Sequence, residues 1–283
     1  MKISAMTVCL ILAIIMIFPA ASVSAADNEI LVDAVPEWKV GDTWQYHSDK
    51  ALDRTISQNL GMLQITMLLN NVETTTTFTV TGIETVDGAD CYTVNVTGNQ
   101  KITGQYRTMP AEDGSLGGDL VQTSTFAGTE YRRVSDLAFV KTVLKGKGTI
   151  EIGGIMEGIP VPFESDSMTV AKPPLKQFLF PLKENDSWQV ISTVTTTSTG
   201  TASDTVTNSY NYTCKVLGTK PVDSESGETY KTVVVQQEGT QTTQSQMSGI
   251  SIDPISGNLY FSPLVGNIVL DEAEQQELIG YIP

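Results

Sequence analysis

Histidine is nearly missing from this 283-residue chain and cysteine is scarce, with one His and three Cys in all. Zinc sites need several His or Cys ligands at short spacing, so a metal centre of that kind is excluded. His47 would have to serve any Ser-His-Asp triad, and the chain contains no Gly-x-Ser-x-Gly elbow to present the serine. Charge is thin as well. Only 17% of residues are charged and the formal balance is −15. The densest basic groupings are Arg132-Arg133 and Lys145-Gly146-Lys147, and an acidic surface repels phosphate backbones, which excludes nucleic acid as a partner. No EF-hand loop occurs, and no cofactor motif stands out. Helical periodicity and strand–helix–strand rhythm are both missing, so a parallel sheet is excluded.

One long apolar run is present, from Ala5 to Phe18, interrupted only by Thr7. It follows Met1-Lys2, is broken by Pro19, and leads to small residues at Val23-Ser24-Ala25-Ala26. That arrangement predicts a secretory signal peptide over residues 1–26, cut after Ala26, with an uncleaved anchor as the alternative. No second run is long enough to span a bilayer, so the mature chain is expected outside the cytoplasm, secreted or associated with the cell surface.

What the chain has is threonine and alternation. Phe78/Val80 against Thr79/Thr81, and Tyr92/Val94/Val96 against Thr93/Asn95/Thr97, have the period of two that marks half-buried antiparallel strands. Turn chemistry is expected to separate such runs at Asp87-Gly88, Asp113-Gly114, Glu225-Ser226-Gly227 and Asp253-Pro254-Ile255-Ser256-Gly257-Asn258.

The strand pattern is also written twice. Gly41-Asp42-Thr43-Trp44-Gln45 returns as Asn185-Asp186-Ser187-Trp188-Gln189, an offset of 144. Downstream strands repeat at offsets of 136 and 138, and Tyr131 to Val140 is echoed by Tyr260 to Val269. Three landmarks in one order predict a tandem repeat of domain-sized units. The expected fold is all-β: two tandem, related, curved antiparallel sheets, with residues 27–172 as the first unit and 173–283 as the second. Each should open with a turn (Gly41 or Asn185 at positive φ), an Asp bonding that turn, and an inward Trp.

Three segments depart from the pattern. Residues 56–69 are apolar and Met-bearing, readable as a short helix or a buried strand. Residues 153–162 form an apolar Gly/Pro-rich insertion without a counterpart. Asp271 to Leu278 reads as one or two helical turns capped by Asp271. Cys91 and Cys214 could form a disulfide between the units, or remain buried thiols. Sequons fall at Asn95, Asn185 and Asn211.

The Gly-Asp-x-Trp opener, the Lys215-to-Gly218 and Tyr230-to-Val234 strands and the closing Tyr260-to-Val269 segment resemble a loosely defined group of exported proteins of unknown function. Their domains are similar to the curved half-barrels of lipoprotein carriers. The first half keeps the opener but loses the closing Pro and Gly. The resemblance implies a sheet concavity able to hold an apolar molecule or lipid, and no catalytic residues.

The function expected is therefore non-catalytic binding of an apolar ligand. Trp44, Trp188, Met62, Met67, Ile155 and Met156 are the candidate contacts, although burial in a core is the competing role of both indoles. A structural or adhesive surface protein, interacting with other envelope proteins, is the alternative. A hydrolase using paired carboxylates is a weaker one.

Overall fold

The computed structural model describes residues 29–60, 63–109, 117–153, 160–200, 203–224, 227–245 and 249–283. Among these residues there is no helix. Two short strands, β1 (Ile30–Val32) and β8 (Leu182–Lys183), pair with each other. All others belong to one antiparallel sheet. Its first six strands are β2 (Thr43–Leu60), β3 (Leu63–Val86), β4 (Ala89–Met109), β5 (Gly117–Arg133), β6 (Phe139–Ile152) and β7 (Val161–Leu175). The second six are β9 (Ser187–Gly200), β10 (Asp204–Asp223), β11 (Thr229–Ser245), β12 (Gly249–Ser262), β13 (Asn267–Asp271) and β14 (Gln276–Ile282).

Each strand lies beside its sequence neighbour within these sets. β7 pairs with β9 and β14 pairs with β2, so the sheet closes into a twelve-stranded barrel. The all-β expectation holds. The two curved sheets it anticipated are continuous, because each set of six has free edges that the other satisfies.

The repeated residues occupy matching places. Trp44 lies opposite Phe78, and Trp188 opposite Cys214. In the first opener Gly41 N–H donates to Val80 O and Val80 N–H to Asp42 O, both at 2.9 Å. In the second, Asn185 N–H donates to Val216 O at 3.0 Å and Val216 N–H to Asp186 O at 2.9 Å. Gly41 and Asn185 both have positive φ, +104° and +65°. A bulge follows in each half, at Val80/Gly82 and Val216/Gly218. Leu137 (φ +57°) and Gly266 (φ +66°) also match, each donating its N–H at 2.8 Å to the residue four before it.

One alignment shifts. Val80 faces Val94 and Val216 faces Val235, so the fourth strand repeats at 141 rather than 138. The longer β10–β11 connection accounts for the change. In the first half β3 and β4 are joined by the tight Asp87-Gly88 turn, whereas β10 ends at Asp223 and β11 begins at Thr229.

Two apolar clusters fill one end of the barrel. Trp44, Tyr46, Val80, Val94, Val265 and Leu278 lead one. Cys214, Val216, Val235, Leu259 and Phe261 lead the other. Segments preceding each Trp strand plug that end. They insert Trp38 into the first cluster, and Phe178 and Leu182 into the second. At the opposite end the strands run on past the cores. Outward positions there carry Lys145, Lys147, Glu151, Glu164 and Asp166, all exposed.

The helical reading of Asp271 to Leu278 is wrong. Asp271 ends β13, four residues turn, and Gln276 begins β14. Asp271 does accept the Glu274 N–H at 3.0 Å as a cap would. The segment is held extended because β2 needs an edge partner and Leu278, opposite Tyr46, is fully buried. Between the two readings of 56–69, the described part is strand, in β2 and β3. Cys91 and Cys214 are free, buried thiols on β4 and β10, which are not neighbours in the barrel. The disulfide is replaced by its alternative. The turn expected over Asp253 to Asn258 does not form, because the segment lies within the one continuous strand β12, paired throughout with β11. Asp113-Gly114 and Glu225-Ser226 lie outside the described residues.

Candidate functional site

The barrel is interrupted on one side because β13 and β14 are short. β13 pairs with β12 only from Leu259 onward, and β14 reaches only as far as Ser48 on β2. Beyond those points, residues 249–258 of β12 and 49–60 of β2 each have an edge with no strand partner. In the first half the corresponding strands, β6 and β7, are long and fill the equivalent place. On β12, Asn258 is the last residue bonded on this side. Its N–H donates to the Glu272 carboxylate at 3.1 Å and its carbonyl accepts the Glu272 N–H. Four residues before it, Pro254 turns the missing donor of its ring nitrogen toward the gap. A proline there costs the β11 ladder nothing and discourages another strand from sealing the gap.

The gap opens into a cavity of about 950 Å³. Lys50 and Ala51 border it on the β2 side, Ser251 and Pro254 on the β12 side, and Ala273 and Glu274 at its lower edge. Alternation on β10 sends Asn208, Tyr210 and Tyr212 inward, and on β11 Gln237, Gln241 and Thr243. The interior is therefore mixed, its polar side chains set among apolar surface from the tyrosine rings, Leu175 and Ile255.

The electrostatics follow from burial. The rings of Tyr210 and Tyr212 meet edge to face at 6.3 Å. Burial pushes the Tyr210 phenol up to about 12, with the Glu274 charge adding to it. The Tyr212 phenol is pushed further in the same direction, again chiefly by burial. Below them, the Cys214 thiol points at the Gln177 carbonyl, 3.8 Å away, and burial raises it to about 12. Asn208 Oδ1 is buried without a hydrogen-bond partner. Asp271 is buried at the end of β13, and its carboxyl is raised to about 6. Burial is the main cause. Backbone N–H groups of Glu274 and Ala273 and the charge of Lys50 pull the other way, while Glu274 adds to the rise. Lys50 itself pairs with Glu274 at 3.0 Å on the rim.

No family model, no curated protein and no solved structure matches this chain. The functional reading therefore rests on these side chains.

The residues singled out from sequence fall mostly elsewhere. Trp44 is fully buried, stacks on Tyr281 and donates its indole N–H to Val265 O at 3.0 Å. It borders only a small void of about 60 Å³. Trp188 is half buried against the second core, beneath the cavity. Met67 is half buried on β3 between Ile56 and Tyr106 and does not line the cavity. Met62, Ile155 and Met156 lie outside the described residues. Asn95 and Asn211 are exposed on the outer faces of β4 and β10, and Asn211 accepts a bond from Gln189 at 2.8 Å. Asn185 sits in the second opener turn. His47 lies on β2 between Thr75 and Glu277. Among the described residues no group of His, Cys, Asp or Glu could hold a metal ion.

The cavity residues were missed because each is an ordinary residue in sequence. One signal existed: Asn208, Gln237 and Gln241 put amides at positions whose alternation marks them as inward-facing. Polar groups on the buried face of a strand need a partner, a water or a ligand.

Proposed function

We propose that this chain is a non-catalytic, exported binding protein that admits a small molecule to the barrel interior through the gap between β12 and β2. The observation that carries this is the cavity: about 950 Å³, open on one side, with inward polar side chains between aromatic and aliphatic surface. That volume is at the upper end of the usual range for small-molecule sites, which are defined by a few convergent polar groups. An apolar lipid, the ligand suggested by the sequence, would leave the Asn208 oxygen without a partner and would set the buried Asp271 carboxyl against hydrocarbon. A ligand with hydrogen-bond donors suits these walls better. The apolar surface then serves one face of it.

Tandem duplication of a six-stranded unit accounts for the matching openers, bulges and turns. In this reading the first copy keeps long sixth-position strands and the second has shortened them, leaving the mouth. The apolar leader supports placement outside the cytoplasm, secreted or at the cell surface.

Mass spectrometry under native conditions on protein purified from its host tests the reading. A bound molecule is expected, and it should be lost in Gln241→Trp, which puts an indole into the cavity, but kept in Thr123→Trp on the outer wall. All three proteins at the masses of their own sequences, with no adduct, would reject a binding role and favour the adhesive one. A second reading, hydrolysis by a carboxylate pair, draws on Asp271 as the raised acid with Asp253 in the same wall. Turnover of a glycan panel that disappears in Asp271→Asn while binding persists would select it.

A further inference from the structure

We propose that the cavity ligand carries a positively charged amine or quaternary ammonium group, with Asp271 as its counter-charge and the Tyr210 and Tyr212 rings beside it. This rests on the cavity being a binding site and names the class of molecule that it takes.

The charge distribution is the first ground. Among the described residues, the cavity wall contains three carboxylates, Asp253, Asp271 and Glu274, against one lysine, Lys50. Lys50 is engaged by Glu274 at the rim. Asp253, on the β12 side, accepts a hydroxyl bond from Ser251 at 3.1 Å. Asp271 is only 6% exposed and makes bonds to backbone N–H groups of its own turn. Among the described residues, no cation stands within ion-pair distance of it. A carboxylate this deep, unmatched by a cation, is unfavourable in the empty protein, and a ligand cation would relieve it.

The second ground is the company it keeps. Two tyrosine rings on β10 line the same space, and aromatic faces attract desolvated cations. The partnerless Asn208 oxygen and the Gln237 amide supply acceptors that an N–H or hydroxyl of the same ligand can satisfy. A purely anionic molecule would meet these acceptors and carboxylates with like charge.

The groups facing Asp271 also fix how binding depends on pH. Lys50 from β2 and Glu274 from the turn act on it directly, Tyr212 of β10 feels its charge with Cys214 beside that phenol, and Tyr210 and Asp253 line the same cavity. Burial keeps the two phenols and the thiol protonated near neutrality. Asp271, with a carboxyl at about 6, then changes charge between pH 5 and 7.5, and cation affinity should fall over that interval as the pH drops.

The test is calorimetric titration at pH 7.5 with choline and spermidine. The controls are 3,3-dimethyl-1-butanol as the neutral isostere of choline, maltose as a neutral polyol, and a fatty acid. At least one cation is expected to bind, tenfold or more tighter than the isostere. Asp271→Asn should lose roughly tenfold or more, with its thermal transition retained, and lowering the pH to 5 should weaken the native protein by roughly tenfold. Tyr210→Leu should weaken cation binding and Tyr210→Phe should not. Equal binding of choline and its isostere, or an Asp271→Asn protein as good as the native one, overturns the charge assignment. If maltose or the fatty acid binds and is excluded by Gln241→Trp while neither cation binds, the charge assignment fails and the cavity reading survives. If no probe binds, both fall.

Discussion

Trp44 and Trp188 occupy equivalent places, yet their surroundings give them different weights. The Trp44 indole is fully buried and its N–H is bonded to Val265 O. The Trp188 indole N–H is buried without a partner. Removing a bonded donor leaves a carbonyl stranded, whereas removing an unpaired one relieves a cost. Trp44→Phe should therefore destabilise the protein by about 2–4 kcal/mol, and Trp188→Phe by less than about 1 kcal/mol. Urea-unfolding midpoints would show the difference. Asp271 supplies the second prediction at this scale. Its folded-state pKa, about 6 against an ordinary value of 3.8, means that the native state binds the proton more tightly than the unfolded chain does. Its contribution is fully present below about pH 4 and is lost as pH rises through about 6. Compared with Asp271→Asn, the native protein should lose a few kcal/mol of relative stability between pH 4 and 7. Melting temperatures of the two proteins across that range would reveal a flat difference if the carboxyl is not raised. These roles were only partly legible. A Trp after an acidic bend is readable as a core residue, but the partner of its N–H lies 221 residues away.

At the scale of elements, the opener turns decide whether β2 and β9 start in register. Gly41 has φ of +104° and Asn185 +65°, a region that a β-branched side chain enters only at a cost of about 1–3 kcal/mol. Gly41→Val should lower stability by at least that amount. Asn185→Gly should change it by less than about 1 kcal/mol, because glycine already serves in the matching turn. Both changes can be read from thermal unfolding, and the second also removes one sequon. The β13–β14 hairpin shows why element type can escape local reading. Asp-Glu-Ala-Glu-Gln-Gln-Glu-Leu is good helical composition, and Asp271 does cap the turn. Pairing with β2 and the burial of Leu278 outweigh propensities that amount to a few tenths of a kcal/mol per residue. The strands of β3, β4, β10 and β11 posed no such conflict, because alternation and β-branched content agreed with their pairing.

For the whole molecule, closure is the governing fact. Each set of six strands ends in edges satisfied only by the other set, through β7–β9 and β14–β2. Residues 29–175 and 176–283 produced separately should thus fail to give a cooperative unfolding transition or a monomeric elution profile, and should aggregate through open edges. Two well-behaved, independently melting halves would show that the edges are not needed. The same closure explains the cavity. Ten of the barrel strands are at least fourteen residues long, while β13 has five and β14 seven, so the break in the wall at these two strands is also the entrance derived for the site.

Strand alternation, the duplicated Trp openers and their positive-φ turns are local properties, and residues a few positions apart sufficed to establish all-β architecture and its internal correspondence. Whether the two sheets stood apart or joined, whether Cys91 met Cys214, and which side chains share a cavity depended on contacts between residues 40 to more than 200 positions apart. Period-two alternation says that a side chain faces inward. It does not say what stands across the barrel from it, and only the closed sheet sets Asp271, Tyr210 and Gln237 around one space.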